Sequence, residues 1–186
     1  MTDVTDFSFR GQRDYLHSST IFDYLIKSDP RPEKIDFTFH KISDRQCTIM
    51  SQTNLGTDDV LVSSYKSEEA TCFLYESNTA IQSRYPCNEA AIVEQLQFTG
   101  VTASFDMPPI PQASYIESVV GAYKKLLHNS ELKFGRKLFF AKLLLRFVPS
   151  CGHCGVSHRR KIGGDFFEAE LMHDKNEIGK LYFGAK

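Results

Sequence analysis

Residues 114–129 read Ser-Tyr-Ile-Glu-Ser-Val-Val-Gly-Ala-Tyr-Lys-Lys-Leu-Leu-His-Asn and decide the fold. Apolar side chains recur at i, i+3, i+4 and i+7, which predicts a helix with one apolar side. That side is formed by Ile116, Val119, Val120, Tyr123, Leu126 and Leu127. Ser114 and Glu117 have the spacing of a capping box, which satisfies the first backbone N–H groups of a helix. Gly121 and Ala122 are small, so we expect a sheet to approach the helix closely there.

The rest of the chain has mainly the alternating pattern of β-strands. The clearest strand segments are 35–42, 60–65, 70–76, 137–148, 157–162, 165–173 and 178–183. A shorter helix is predicted up to about Lys27, with Ser18 or Ser19 as its cap. Residues 90–98 fit a helix or a strand. The predicted fold class is α+β, with an antiparallel sheet wrapped around the long central helix 115–129.

Composition excludes several classes of function. The 186 residues carry a formal net charge of −1 with a pI of about 6.6, so no global charge favours nucleic acid or an anionic membrane. No apolar run approaches the ~18 residues of a membrane-spanning helix, and the acidic N-terminus is unlike a secretory signal. Five cysteines without a framework spacing indicate reduced thiols. We therefore expect a cytoplasmic protein that binds neither membrane nor nucleic acid.

The order of predicted elements repeats. Helix 19–27 precedes a strand from Ile35, and helix 115–129 precedes a strand from Lys137, each followed later by a hairpin (60–76 and 165–183). The two halves share order but almost no sequence identity. We interpret them as two similar units, residues 1–98 and 99–186.

One helix followed by antiparallel strands that wrap around it resembles the hot-dog fold, and two tandem units resemble a double hot dog. The resemblance implies a protein that binds an acyl thioester, either an acyl-CoA or an acyl carrier protein conjugate. It further implies a dehydratase or a thioesterase, with the site between the two units. No cofactor is implied. The oligomeric state stays open, with a homodimer as one option.

Under that resemblance, dehydratases use a histidine before the helix of one unit and a carboxylate on the helix of the other. His17 and Glu117 are the residues at those places. A neutral imidazole can remove an α-proton from a thioester, and a carboxylic acid can protonate the leaving hydroxyl. The chain departs from the family pattern, because Tyr15-Leu-His-Ser18 stands where many dehydratases have Gly-His-Phe-Pro. Glu117 also has a structural explanation as the capping partner of Ser114.

Cys151-Gly-His-Cys154 matches the active-site tetrapeptide of protein disulfide isomerases. A thioredoxin fold needs a long helix directly after that motif, and residues 155–160 do not favour one, so we reject thioredoxin-type catalysis. Cys151, Cys154 and His158, with His153, could be zinc ligands. A structural zinc site normally has four ligands and no second pair has matching spacing, so we predict no metal.

The basic cluster His158-Arg-Arg-Lys161 could hold the phosphates of coenzyme A or an acidic carrier protein through Arg159, Arg160 and Lys161. A solvated start of a strand explains the same residues. Arg10, Arg13 and Asp14 are expected to form a surface ion-pair group.

Two further functions remain open. A non-catalytic lipid-binding or partner-binding domain of the same architecture explains the apolar helix without any reaction. A general α+β interaction protein with a Cys-x-x-Cys loop explains it as well.

Overall fold

A computed structural model describes residues 4–51, 59–130 and 137–185. The predicted turns at 54–59 and 132–136 lie wholly or almost wholly outside these ranges. The chain divides into two compact units, Met1–Cys87 and Asn88–Lys186. This division falls eleven residues before the predicted one at 98/99, because residues 88–98 contribute elements to the second unit.

In the described residues of the first unit, unit 1, a helix accompanies an antiparallel sheet. Its elements are β1 (Phe9–Arg10), α1 (Ser18–Ser28), β2 (Glu33–Phe39), β3 (Arg45–Met50), β4 (Leu61–Lys66), β5 (Thr71–Ala80) and β6 (Arg84–Tyr85). The sheet has the order β3-β5-β4-β2, while β1 and β6 form a separate parallel pair. Helix α1 packs on the sheet through Phe22, whose ring meets Phe37 edge-on at 5.5 Å. The short pair β1/β6 was not predicted, and residues 84–88 were expected to be a loop.

The second unit, unit 2, contains the principal helix. Its elements are α2 (Glu89–Glu94), β7 (Gln97–Thr99), β8 (Thr102–Met107), α3 (Tyr115–Ser130), β9 (Leu138–Phe147), β10 (Gly152–Ile162), β11 (Phe166–His173) and β12 (Asn176–Ala185). The antiparallel strand order is β9-β12-β11-β10-β8-β7. The α+β class is confirmed, with a helix packed on an antiparallel sheet in each unit.

Helix α3 buries the side that the sequence predicted. All six residues of the predicted stripe are at most 6% exposed. A fully buried aliphatic or aromatic side chain contributes about 1.5–3 kcal/mol by leaving water, so this side anchors the helix. The small residue Gly121 faces α2 and not the sheet, since a Cβ there would lie 3.7 Å from Val93 Cγ2.

The sheet of unit 2 turns one row of side chains toward α3. His158 of β10 bonds and stacks against Tyr123 of α3, and side chains two residues apart on a strand share a face. Cys154 and Val156 therefore face α3 too, and both are fully buried. Phe183 of β12 meets Tyr123 edge-on at 5.3 Å. We call these buried side chains, with the buried side of α3, the α3 layer.

Candidate functional site

His17 is the cap of helix α1, in place of the predicted Ser18 or Ser19. Its backbone is extended (φ −81°, ψ 134°), and its Nδ1 accepts a hydrogen bond from the Ser19 N–H at 3.3 Å. Ser18 and Ser19 are buried in the first turn and are already helical. The imidazole can act as the cap because Nδ1 of a neutral ring is an acceptor, like the oxygen of a serine cap.

A buried arginine lies behind His17. Arg10 is 1% exposed, and its guanidinium donates to Ser19 Oγ at 2.8 Å and to Cys87 Sγ at 2.8 Å. Ser19 Oγ in turn lies 2.7 Å from His17 Nδ1. The expectation of a surface ion-pair group is therefore wrong for Arg10, which is buried, while Asp14 pairs with Arg84 at 2.7 Å. The sequence did not indicate that Arg10 contacts Ser19 and Cys87, because the β1/β6 pairing that brings Arg10 near Cys87 joins residues more than 70 positions apart.

Glu117 forms the predicted capping box at the start of α3. The Ser114 N–H donates to Glu117 Oε2 at 3.1 Å, and the Glu117 N–H donates to Ser114 Oγ at 3.2 Å. Ser118, which is fully buried, donates from its hydroxyl to the Ser114 carbonyl at 2.9 Å. The carboxylate of Glu117 thus helps to cap the N-terminus of α3. His17 belongs to unit 1 and Glu117 to unit 2.

Tyr115 places a phenol in the buried interior of unit 2. The residue is 3% exposed, and its hydroxyl has no hydrogen-bond partner among the residues that the structure describes. Burial, with a smaller contribution from the nearby Cys154 thiol, raises the pKa of Tyr115 well above its ordinary value. The side chain therefore stays a neutral hydroxyl and keeps its proton to donate. Neither periodicity nor motif singled out this residue.

The Cys-x-x-Cys segment is not a loop before a helix, because β10 begins at Gly152. Cys151 lies directly before β10 and is exposed, while Cys154 lies within the strand and points into the α3 layer. Burial raises the pKa of the Cys154 thiol to about 12, so it is protonated at neutral pH. The sequence favours a loop over 149–155, and this expectation is wrong from Gly152 on, because pairing with β8 and β11 extends the strand through Gly155.

The residues weighed as zinc ligands point in different directions. His158 Nδ1 lies 2.9 Å from the Tyr123 hydroxyl, and His153 Nδ1 lies 2.9 Å from Asp106 Oδ1. Within the three described ranges, no group of three His, Cys, Asp or Glu side chains is arranged to hold a metal ion.

The basic cluster is partly neutralised by carboxylates of the next strand. Arg159 pairs with Glu170, and Arg160 pairs with Glu168 at 3.0 Å. Lys161 is exposed, with Nζ 5.7 Å from the centroid of the Phe167 ring. A phosphate bound here by the arginines would compete with these carboxylates.

Comparisons with known proteins find a likeness of fold. No protein-family model matches the sequence, and no curated protein sequence matches it. The dehydratase domain from the CurJ module of curacin polyketide synthase is similar, with a TM-score of 0.48 and 8% identity over 92% of this chain and 83% of that chain. The bifunctional dehydratase-cyclase domain in ambruticin biosynthesis gives 0.47 and 11% over 92% and 81%.

A conserved protein of unknown function with a hot-dog fold, from Alicyclobacillus acidocaldarius, gives a TM-score of 0.38 and 7% identity over 90% of this chain and 83% of that chain. The Alicyclobacillus protein has the fold that the order of elements in the sequence resembles. Across the described part of the chain, no helix combines the length and the apolar character needed to cross a membrane.

Proposed function

We propose that the chain binds acyl thioesters, as acyl-CoA or as acyl carrier protein conjugates, with the acyl chain lying in the α3 layer. The layer consists of apolar aromatic and aliphatic side chains along α3, including Val119, Tyr123 and Phe183, which are at most 1% exposed, so the acyl chain would enter this interior by displacing part of its packing. Such a surface suits a hydrocarbon chain, and one polar group within it can fix the chain's position. The proposal also interprets unit 1 and unit 2, which divide at 87/88, as the two units of a double hot dog.

The observation that carries the proposal is the buried hydroxyl of Tyr115. An unpaired buried hydroxyl costs about 1–3 kcal/mol, so a molecule that brings an acceptor oxygen to it recovers that cost. Acyl thioesters present such oxygens on an otherwise apolar chain. A phenol is protonated at physiological pH, and burial raises the pKa of Tyr115 further, so the hydroxyl is a donor.

For catalysis, the proposal assigns His17 and Glu117. In a dehydratase one group removes an α-proton and a second protonates the leaving hydroxyl; in a thioesterase a carboxylate orients the attacking water. The phosphates of coenzyme A are assigned to Arg159, Arg160 and Lys161. Because Glu168 and Glu170 already engage the two arginines, we expect this contribution to affinity to be small and sensitive to salt.

A second candidate is a non-catalytic acyl-binding domain. It is favoured by the hydrogen bonds of both proposed catalytic residues, since His17 caps α1 and Glu117 completes the capping box of α3. Turnover decides between the candidates. Loss of acyl-CoA hydrolysis or dehydration in the variants H17N and E117Q supports catalysis, and a wild-type protein that binds but never turns over supports the non-catalytic domain. The cytoplasmic location and a homodimer remain predictions.

Binding itself is tested by thermal unfolding with acyl-CoAs of increasing chain length against free coenzyme A. A ligand at about 100 times its Kd stabilises the native state by about 2.7 kcal/mol, which raises the melting temperature by several degrees. In Tyr115→Phe the unliganded protein should be as stable as the wild type or more stable, because the unpaired hydroxyl is removed. The same variant should show a smaller shift with ligand. No shift with any acyl-CoA or acyl-pantetheine would disprove acyl-thioester binding.

A further inference from the structure

Four residues form an apolar row across one end of the sheet of unit 2. The registers of β10, β11, β12 and β9 align them in this order: Ile162, Phe166, Gly184 and Phe139. Directly paired residues lie on the same face of a sheet. A Cβ at Gly184 would collide with the ring of Phe139, so this ring extends over β12 toward Phe166. We call these four residues the apolar row.

The apolar row reaches solvent on the face of the sheet that is turned away from α3. Phe166 is 49% exposed and Ile162 is 39% exposed, whereas the next residue, Phe167, is buried on the α3 side near the ring of His158. Phe166 and Ile162 flank the turn between β10 and β11, where a Cβ on either glycine would meet no described atom within 4 Å. Adjacent exposed apolar side chains at a projecting turn are typical of a surface that binds apolar material.

Positive charge accumulates around the same end of the sheet. One row further in, on the same face, strand pairing aligns Arg160, Glu168, Tyr182 and Lys142, which we call the charged row. The described residues 137–142, 159–170 and 180–185 contain six lysines and arginines against three carboxylates, a net charge of +3. The whole chain has a net charge of −1, from which no membrane binding was expected, so the total conceals a local excess that favours an anionic partner.

Strand geometry sets the spacing between the apolar row and the charged row. Residues two apart in a strand, such as Phe166 and Glu168, are separated by about 7 Å along the strand. Apolar groups of surface-bound proteins enter the boundary between lipid headgroups and acyl chains by about 5–10 Å. With the apolar row at that depth, Arg160 and Lys142 lie level with the headgroups, where anionic lipids attract basic side chains.

We propose that this end of the unit 2 sheet docks on the surface of an anionic membrane, with Phe166 and Ile162 inserted between the lipids. The inference goes beyond the proposed function and does not depend on it. A membrane is favoured over single-stranded nucleic acid, because stacked bases need aromatic rings among the cations and Ile162 has no ring. A second copy of the chain is disfavoured, because two faces of net charge +3 repel each other.

Insertion can be measured with a single fluorescent residue, because the sequence contains no tryptophan. Phe166→Trp places the reporter in the apolar row, and Ile42→Trp, at a position of unit 1 that is 45% exposed, is the matched control. With vesicles of phosphatidylserine and phosphatidylcholine in equal amounts, we expect the emission of Phe166→Trp to shift to shorter wavelength and to be quenched by brominated acyl chains. The control should show neither change. No shift in Phe166→Trp, or the same shift in both variants, would overturn the proposal.

Vesicle sedimentation measures the affinity. The double variant Ile162→Ser, Phe166→Ser should bind at least about tenfold more weakly, because two half-exposed apolar side chains no longer enter the lipid. Raising the salt from about 0.1 M to 1 M should release the wild type, since the Debye length falls from about 10 Å to 3 Å. Undiminished binding by the double variant, or equal binding of the wild type to pure phosphatidylcholine, would refute the docking surface. If the double variant does not unfold cooperatively in urea, the tryptophan experiment decides.

Two other results would assign the face to a different partner and so reject the membrane. One is a shift of the Phe166→Trp emission with single-stranded RNA but not with vesicles. The other is a shift that depends on protein concentration in the absence of lipid, which would indicate contact between copies of the chain.

Discussion

Glu117 is both half of a helix cap and a proposed catalytic carboxylate, and two substitutions separate these roles. In Glu117→Gln, the side-chain amide oxygen replaces the carboxylate oxygen that accepts from the Ser114 N–H, so the free energy of unfolding should change little. Ser114→Ala keeps the carboxylate and should cost about 1 kcal/mol through loss of the cap. Urea unfolding and acyl-CoA turnover are measured on both. A Glu117→Gln protein with wild-type turnover would remove Glu117 from the reaction.

The two cysteines of Cys-Gly-His-Cys should differ in reactivity. Cys151 is exposed, whereas Cys154 is fully buried and burial raises the pKa of its thiol to about 12. Since the thiolate is the nucleophile, we expect iodoacetamide at pH 8 to modify Cys151 on the order of a hundredfold faster than Cys154. Peptide mass mapping measures this, and the two rates should converge in denaturant as a control. Comparable rates in the native protein would mean that β10 does not bury Cys154.

At the residue scale, the sequence predicted only those contacts that form between residues close together in the chain. The capping box of Ser114 and Glu117 could be predicted because both partners lie within one turn of helix. Arg10 could not be placed, because its burial depends on Cys87 and on strand pairing across more than 70 residues. Tyr115 was counted as part of a helix, but an unpaired hydroxyl is a property of the packed interior.

Among the elements, strands β10, β11 and β12 share a row of ion pairs across the sheet. Glu168 of β11 lies between Arg160 of β10, at 3.0 Å, and Lys180 of β12, at 3.3 Å. Burial alone would raise the pKa of Glu168, but hydrogen bonds from Arg160 and Lys180 outweigh it and lower the pKa. The carboxylate of Glu168 therefore links the three strands by ion pairs to both of its neighbours.

Glu168→Gln should lower the free energy of unfolding at pH 7 by about 1–3 kcal/mol, because two cations lose their charged partner. Since the pKa of Glu168 is lowered in the folded state, its contribution is present above the ordinary value of 4.5 and is lost as the pH falls through the folded value. Glu69→Gln, which breaks the exposed pair with Arg31, is the control and should cost at most about 1 kcal/mol. Equal costs in urea unfolding would show that burial of Glu168 adds nothing.

Element boundaries could be predicted where the signal is local. Helix α3 was predicted over 115–129 and spans Tyr115–Ser130, because periodicity and cap both lie within the segment. The hairpin at Asp174 and Lys175 was predicted from its turn residues, and both adopt positive φ in the structure. Residues 90–98 fitted helix or strand and contain both, since α2 ends at Glu94 and β7 starts at Gln97. The start of β10 was missed because strand pairing overrides the turn tendency of its glycines.

On the scale of the whole molecule, the repeated order of elements was the most informative sequence pattern. Each unit contains a helix that packs on an antiparallel sheet. The amphipathic pattern of residues 115–129 alone would have predicted this arrangement for the second unit only. The pattern fixed no catalytic residue, because the same architecture can be built with many different side chains in its interior. The buried guanidinium of Arg10 and the buried hydroxyl of Tyr115 became visible only in the packed structure.

Thiol and phenol groups with raised pKa values in both units predict how the free energy of unfolding changes at alkaline pH. Burial raises the pKa of Cys47 and Cys154 to about 12 and that of Cys72 to about 11, and burial with a hydrogen bond to Asp29 raises the pKa of Tyr65. The unfolded chain loses these protons from about pH 9, while the folded chain keeps them. The unfolded state then binds fewer protons, so the free energy of unfolding must fall as the pH rises from 9 toward 12.

Each such thiol adds a slope of up to about 1.4 kcal/mol per pH unit in this range. Urea unfolding at pH 8, 9, 10 and 11, under reducing conditions, measures the total slope. Cys154→Ala should make it shallower by about one thiol's share, even if the cavity lowers stability at every pH. Cys151→Ser, at an exposed position of the same segment, should leave the slope unchanged. A flat profile from pH 9 to 11 would mean that these thiols reach solvent in the folded state.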